Sequence, residues 1–143
     1  MKKWILVLVL AVLVLGYLAM LPDDPDTDKL KLKGVNFNTS LEPSLEAAKS
    51  QGKPVFVYVR SEDCGWCKKF EAETFTNKSV IKVLNEKFVL VSIDVDKQKN
   101  ETRNFRVRGT PTEIFLDPGG TEIKRIPGYI DTRTFLETLN EIV

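Results

Sequence analysis

The sequence predicts an α/β fold in which a mixed central sheet is flanked by helices. Two mostly apolar runs, Val55–Val59 and Phe88–Ile93, are typical of strands buried on both faces. Segments with helical periodicity alternate with these strands, and a hairpin followed by a helix completes the pattern. An unbroken apolar stretch at residues 4–21 also predicts that a transmembrane helix precedes the fold.

Residues 1–21 are expected to form a signal anchor. Lys2 and Lys3 precede 18 consecutive apolar residues, which just suffice to cross a bilayer, and this charge pattern places the N-terminus in the cytoplasm. The rest of the chain would then lie on the extracytoplasmic side, either periplasmic or at the cell surface. The alternative is a cleaved signal peptide that releases a secreted domain. Its best cleavage site, after Ala19, would place bulky Tyr17 where a small residue is required.

Residues 22–34, with their prolines and charged side chains, predict a polar linker, and residues 35–143 are long enough for one domain. When Lys2 and Lys3 are set aside, 19 of the 21 basic residues remain, against 20 acidic residues. This near-neutral balance, without a basic stripe, argues against a nucleic-acid partner.

Within the domain, apolar periodicity and turn-forming residues divide the chain into strands and helices. Leu41, Leu45 and Ala48 lie on one helical face, and Phe135 and Leu139 lie on that of a later helix. The predicted order is a strand near Val35–Phe37, a helix over about Ser40–Gln51, the strand Val55–Val59, a helix that contains Cys67, a helix capped by Asn77, the strand Phe88–Ile93, a short helix around Gln98–Phe105, hairpin strands Thr112–Leu116 and Glu122–Ile126, and a helix capped by Asp131.

The motif Cys64-Gly65-Trp66-Cys67 contains the only two cysteines of the chain, three residues apart. This spacing lets both sulfurs meet in a small ring, so the pair can cycle between dithiol and disulfide. A strand precedes the motif and the helix-forming run Lys68–Glu73 follows it, which places Cys64 at a helix start. There the helix dipole stabilises a thiolate and lowers the pKa of Cys64, while Cys67 lies one turn further in and attacks the mixed disulfide.

Two other roles for the cysteine pair remain open. A zinc site requires about four ligands, but the chain has no His and no further Cys, so only a site shared between subunits would remain. An inert structural disulfide gains little stability from closing so short a loop. Exchange chemistry is therefore the preferred interpretation, and it requires neither a metal nor an organic cofactor.

A second motif, Gly109-Thr110-Pro111-Thr112, follows about forty residues after the cysteines and precedes the final hairpin and helix. Gly52-Lys53-Pro54 stands immediately before the first long strand. With the cysteine motif between a strand and a helix, these residues resemble the thioredoxin family, and most closely its extracytoplasmic branch, over residues 35–143. The resemblance implies a thioredoxin-like fold and thiol:disulfide oxidoreductase activity.

The resemblance also implies a substrate-binding role for Thr110 and Pro111. The matching proline of the family is cis and lies against the active-site cysteines, and a cis proline marks a tight turn. The backbone of Thr110 would then pair with an extended substrate strand across the disulfide. The alternative is an ordinary trans proline at the first residue of a strand. Trp66 is expected to cover the disulfide or to offer a flat apolar contact to substrate, with a purely structural role as the alternative.

Residues beside Cys64 are expected to tune its reactivity in opposite directions. Lys68 and Lys69 favour a thiolate, whereas Glu62 and Asp63 disfavour one. A role for Asp63 as only the helix N-cap is the alternative.

Two residues depart from thioredoxin itself. Tyr58 stands six residues before Cys64, where thioredoxin has a buried acid that helps to deprotonate the second cysteine, and Asp63 stands where thioredoxin has Trp. The missing acid argues against rapid general disulfide reduction of the thioredoxin type. Glu73 is a candidate to reach the site in its place.

These features predict a membrane-tethered thiol:disulfide oxidoreductase on the extracytoplasmic side, with disulfide-containing proteins as clients. The acidic pair before Cys64 works against a strong oxidant, so we expect a reductant or electron relay supplied by a membrane-embedded thiol reductase. The haem-attachment cysteines of c-type cytochromes are one candidate client class. The alternatives are a disulfide donor or isomerase, and a non-catalytic binding module whose cysteines stay oxidised.

Overall fold

The computed structural model describes residues 2–19 and 28–143. In the described part, helix α1 (Lys2–Ala19) precedes an α/β domain. The elements of this domain are, in chain order, β1 (Lys29–Leu32), β2 (Val35–Asn38), α2 (Leu41–Gln51), β3 (Val55–Arg60), α3 (Gly65–Thr74), α4 (Lys78–Lys87), β4 (Val89–Asp94), α5 (Lys99–Asn104), β5 (Thr112–Leu116), β6 (Glu122–Pro127) and α6 (Thr132–Ile142).

The strands form one mixed sheet in the order β1-β2-β4-β3-β5-β6. β2, β4 and β3 run parallel to one another, while β1, β5 and β6 are each antiparallel to their neighbours. Helices α3, α4 and α6 pack against one face through a core rich in aromatic residues, and α2 packs against the other face. The predicted mixed sheet with flanking helices is therefore confirmed.

The transmembrane helix predicted over residues 1–21 is not found. Within the described residues, no helix has both the length and the apolar character that a membrane crossing requires. Lys2 and Lys3 fall inside α1, so the apolar part of this helix begins only at Trp4. From Trp4 to Tyr17 its large apolar side chains are exposed. Residues 20–21 of the prediction lie outside the described residues.

The segment predicted to be a polar linker, residues 22–34, contains a strand of the sheet. β1 pairs antiparallel with β2, from Lys29 opposite Asn38 to Leu32 opposite Val35. Alternation of lysine and leucine places the leucines toward the core and the lysines toward solvent, which suits an edge strand. The sheet therefore begins before residue 35, and residues 22–27 of the predicted linker lie outside the described residues.

Strand β3 is buried along its whole length, as the apolar run predicts, and it leads directly to the cysteine motif. Its alternate residues point to opposite faces of the sheet. Phe56 and Tyr58 join the aromatic core, whereas Val57 and Val59 join an aliphatic core on the other face. Burial of each such side chain contributes about 1.5–3 kcal/mol, so both cores fix the position at which β3 presents the motif.

The predicted helix caps at Asn77 and Asp131 are confirmed. The Asn77 side chain accepts hydrogen bonds from the backbone N–H groups of Ser79 and Val80, at 3.0 and 3.1 Å. Asp131 Oδ1 accepts from two backbone N–H groups at the start of α6, each at 3.1 Å. The other predicted elements occur in the predicted order, with ends that differ by one or two residues.

Candidate active site

The two cysteines form a disulfide where β3 gives way to α3, with Cα atoms 5.2 Å apart. Cys64 is the N-cap of α3, so its sulfur lies at the helix start, where it accepts a hydrogen bond from the backbone N–H of Cys67 at 3.0 Å. The alternative N-cap role of Asp63 is therefore wrong. Cys67 is fully buried, whereas Cys64 is partly exposed. Only Cys64 is open to an attacking thiolate from another molecule.

This geometry favours negative charge on Cys64 in the reduced state. The Cys67 N–H donates to the Cys64 sulfur, and a thiolate at this helix start is a better acceptor than a neutral thiol. Glu62 was predicted to disfavour a thiolate at Cys64. It forms an ion pair with Lys97, whose positive charge partly cancels this effect. Asp63 and Lys68 are exposed and form no ion pair within the described residues.

The peptide bond between Thr110 and Pro111 is cis, as the resemblance implied. Thr112, the next residue, pairs with Val59 on the adjacent strand β3. The turn is held by a hydrogen bond from Thr112 Oγ1 to the carbonyl of Gly109 at 2.7 Å. This register places the Thr110-Pro111 turn at the end of β3 from which the chain continues to Cys64.

The surface next to the disulfide carries an aromatic pair. Trp66 is 58% exposed, and its ring centroid lies 5.4 Å from that of Tyr129. The ammonium group of Lys69 stands over both rings, at 5.3 and 4.9 Å. The Tyr129 hydroxyl donates a hydrogen bond to Glu73, so Glu73 supports this surface. Sequence reasoning missed Tyr129, because nothing near it in the chain marks it as part of the site.

A buried polar layer lies beneath Cys67. Tyr58 is fully buried, and its hydroxyl lies 3.4 Å from the Cys67 carbonyl and 3.2 Å from Glu71 Oε1. Glu71 in turn accepts a hydrogen bond from Arg60 Nε at 2.8 Å. Burial and the neighbouring carboxylates raise the pKa of Tyr58 far above its ordinary value, so it stays neutral. Glu71 lies one turn after Cys67 on the same helix, which is the sequence signal that was available for it.

Glu113 is a second buried acid in this region. It pairs directly opposite Tyr58 across β3 and β5, and its side chain is fully buried. Neither of its carboxyl oxygens has a hydrogen-bond partner among the residues that the structure describes. Loss of hydration raises the pKa of Glu113 to about 8. Its signal in the sequence is a single charge within the otherwise apolar run of β5.

A cavity of about 360 Å³ opens beside Pro111. Three arginines line it, namely Arg106, Arg108 and Arg125, and no acidic residue does. Arg125 forms a two-point ion pair with Glu122, whereas Arg106 and Arg108 are exposed and have no ion-pair partner among the described residues. The cavity therefore presents positive charge next to the cis-proline turn.

The thioredoxin-like domain family matches residues 41–142 of this chain. The chain belongs to the thioredoxin family. It is 34% identical, over 124 residues, to the thiol:disulfide interchange protein DsbD of Actinobacillus pleuropneumoniae, a match that covers 81% of this chain and 20% of that protein. It is 36% identical to DsbD of Haemophilus ducreyi, over 82% of this chain and 21% of that protein. The chain thus spans about a fifth of the length of the curated relatives it matches.

A solved member of the thioredoxin family has a similar backbone. The thioredoxin of Thermus thermophilus superposes with a TM-score of 0.65 and 30% identity, over 73% of this chain and 84% of that one. In the present chain, the Cys64–Cys67 disulfide at the start of α3 forms the site of a protein-disulfide oxidoreductase. Within residues 2–19 and 28–143, no group of three or more His, Cys, Asp or Glu side chains is placed to hold a metal ion.

Proposed function

We propose that this thioredoxin-family domain exchanges disulfides with protein clients outside the cytoplasm, as a reductant or electron relay. The observation that carries the proposal is the unequal exposure of the two cysteines. Cys64 is open to a partner and sits at a helix start, while Cys67 is buried beside it. The DsbD relatives are thiol:disulfide interchange proteins, which supports the same reaction.

The reaction proceeds through a mixed disulfide. In the reduced protein, the Cys64 thiolate attacks one sulfur of a client disulfide, and the other client sulfur leaves as a thiolate. The Cys67 sulfur then attacks Cys64 and releases the second client sulfur. The client gains two electrons and becomes a dithiol, while the Cys64–Cys67 disulfide forms. A donor dithiol restores the reduced state by the reverse sequence.

The surface around the disulfide supports a client-binding role for Trp66, Thr110 and Pro111. Thr110 lies at the turn beside β3, where an extended client segment would add by backbone pairing. Trp66 offers an exposed ring held by Tyr129. The arginine-lined cavity beside Pro111 favours client segments that carry carboxylates near the cysteine.

Charge near the cysteines supports a reductant over a strong oxidant. A strong oxidant requires a stabilised thiolate in its reduced form. Here Asp63 directly precedes Cys64 and has no ion-pair partner among the described residues, so its charge opposes that stabilisation. Such a reductant requires a source of electrons outside the cytoplasm, and a membrane-embedded thiol reductase is the proposed donor.

We propose that the N-terminal segment takes the domain out of the cytoplasm and keeps it at the membrane. The apolar run of the sequence continues through Leu21, two residues past the end of α1 at Ala19, and Lys2 and Lys3 precede it. Cell fractionation with N-terminal sequencing tests this. A protein that fractionates with membranes and retains Met1 or Lys2 supports it. A soluble protein that starts near residue 20, or a cytoplasmic one, contradicts it.

Trapping of mixed disulfides tests the exchange reaction itself. Cys67→Ser should accumulate covalent complexes with client proteins, because the first attack still occurs and the release step is lost. Cys64→Ser is the matched control, and it should form no such complexes because its remaining cysteine is buried. A non-catalytic binding module would give no thiol-sensitive complex with either variant.

A further inference from the structure

The buried carboxyl of Glu113 is costly for the fold, and packing alone does not account for it. Its side chain is fully buried, and both oxygens lack a hydrogen-bond donor. An unpartnered buried polar group typically costs about 1–3 kcal/mol, and a charged one costs more. An apolar residue would suit this position of β5 better, since Ile114, Phe115 and Leu116 follow it into the two cores. A role in the chemistry of the site would explain the carboxyl.

The strand register places Glu113 in the layer beneath Cys67. Phe115, two residues further along β5, lies in the aromatic core, so Glu113 faces the same side of the sheet as α3. Its cross-strand neighbour is Tyr58, and the Tyr58 hydroxyl lies 3.4 Å from the carbonyl of Cys67. Glu113 also stands two residues after Pro111. The carboxyl therefore lies on the α3 side of the sheet, beside the tyrosine that contacts the buried cysteine and close in sequence to the cis-proline turn.

The other ionisable groups that face this layer already have hydrogen-bond partners. On β3, Tyr58 is held neutral by its raised pKa. On α3, Glu71 accepts hydrogen bonds from Tyr58 and from Arg60, and it also forms an ion pair with Arg60. On β6, the residue opposite Glu113 is Ile126, and the packed rings of Phe70 and Phe135 do not titrate. Among the described residues of this layer, Glu113 is the carboxyl that accepts no hydrogen bond from a neighbouring side chain.

We propose that Glu113 is the proton-exchange partner of Cys67. This inference rests on the proposed function. When a donor thiolate attacks the Cys64 sulfur, the Cys64–Cys67 bond breaks and its electron pair goes to Cys67. Glu113 gives its proton to that sulfur, which leaves a neutral Cys67 thiol and a Glu113 carboxylate. A second donor thiolate then releases Cys64 as a thiolate, and the donor leaves as a disulfide.

The proton returns when a client is reduced. As Cys67 attacks the mixed disulfide at Cys64, its thiol proton passes back to the Glu113 carboxylate, and the client sulfur leaves as a thiolate that takes a proton from water. A thiolate at Cys67 and a carboxylate at Glu113 would repel each other in the dry layer, so one proton serves both groups. Burial keeps Glu113 protonated near neutral pH while the disulfide is intact, so the proton is present when that bond opens.

The rate at which dithiothreitol reduces the Cys64–Cys67 disulfide tests this role. Glu113→Gln keeps the size of the side chain but cannot transfer a proton, and Glu113→Leu removes the polar group. Acid-quenched samples, alkylated and counted for free thiols between about pH 6 and 9.5, give the rate for each protein. The ratio of wild-type to variant rate cancels the ionisation of dithiothreitol. Circular dichroism at each pH confirms that the variants are folded.

Near pH 6.5 the wild-type rate should exceed the Glu113→Gln rate by about tenfold or more, as expected for general-acid catalysis. The ratio should fall toward one above about pH 8, where Glu113 has lost its proton. Glu71→Gln is the matched control, and its ratio should not share this pH dependence because Glu71 Oε1 accepts hydrogen bonds from Tyr58 and Arg60 and is not the proposed proton donor. A ratio that is flat with pH for Glu113→Gln and Glu113→Leu overturns the proposal. If dithiothreitol does not reduce the wild-type disulfide at all, the proposed function itself fails, which is a different result.

Discussion

Glu113→Gln should remove the pH dependence of folding stability that the buried carboxyl of Glu113 creates. Burial raises the pKa of Glu113 from its ordinary 4.5 to about 8, because both oxygens lose water without gaining a donor. Between these two pH values the folded protein holds the proton and the unfolded chain does not. The contribution of Glu113 to stability is therefore fully present below about pH 4.5 and is lost as the pH rises through about 8.

The size of this effect follows from the same pKa values. Each unit of pKa difference corresponds to about 1.4 kcal/mol, so a shift from 4.5 to about 8 corresponds to about 5 kcal/mol. Relative to Glu113→Gln, the wild-type free energy of unfolding should fall by this order between about pH 4.5 and 9. Urea unfolding of both oxidised proteins, followed by circular dichroism at several pH values, measures the difference directly.

A control variant separates the effect of the buried carboxyl on stability from the effects of other titrating groups. Glu73→Gln is the control, because Glu73 is exposed and its hydrogen bond to Tyr129 lies at the surface. It should follow the wild-type pH profile closely. If wild type and Glu113→Gln lose stability in parallel as the pH rises, the pKa of Glu113 is not raised in the folded protein, and the reasoning about the buried layer is wrong.

Three further changes have defined outcomes. Arg108→Glu should lower kcat/KM for peptide disulfides with acidic flanks more than for those with basic flanks, because it reverses a charge in the cavity beside Pro111. Lys82→Glu on α4 is the control and should change neither value. Equal effects of Arg108→Glu on both peptides would contradict this. Asn77→Ala should lower the free energy of unfolding by about 1 kcal/mol through loss of the α4 cap, and an unchanged urea midpoint would contradict it. Trp66→Ala should raise KM for protein clients with little effect on reduction by dithiothreitol, and an equal loss in both assays would argue for a structural role.

The order of strands and helices was predictable because local signals and tertiary packing agree in this domain. Strands β3 and β4 are buried on both faces, and their sequences are almost wholly apolar. The caps at Asn77 and Asp131 hold their helices through contacts within three residues. Strand β1 was missed because alternating lysine and leucine in four residues is too short a signal, and only its pairing with β2 makes it a strand.

The candidate site divides in the same way between local and long-range contacts. The cysteine pair at the helix start could be predicted because it depends on residues adjacent in sequence, and the cis proline was implied by the resemblance to the thioredoxin family. The layer beneath Cys67 could not, since it forms from Tyr58 on β3, Glu71 on α3 and Glu113 on β5. The sequence showed that Tyr58 replaces the acid of thioredoxin, but only the register of β5 against β3 shows that Glu113 lies beside it.

The reduction potential of the Cys64–Cys67 pair tests the central claim most directly. Equilibration of the protein with glutathione or dithiothreitol buffers, followed by alkylation and separation of the two redox forms, gives this value. A reductant or relay should have a potential between about −300 and −200 mV, the range that includes thioredoxin. A potential well below about −300 mV would identify an inert structural disulfide and contradict the account, and one near about −120 mV would show a disulfide donor instead.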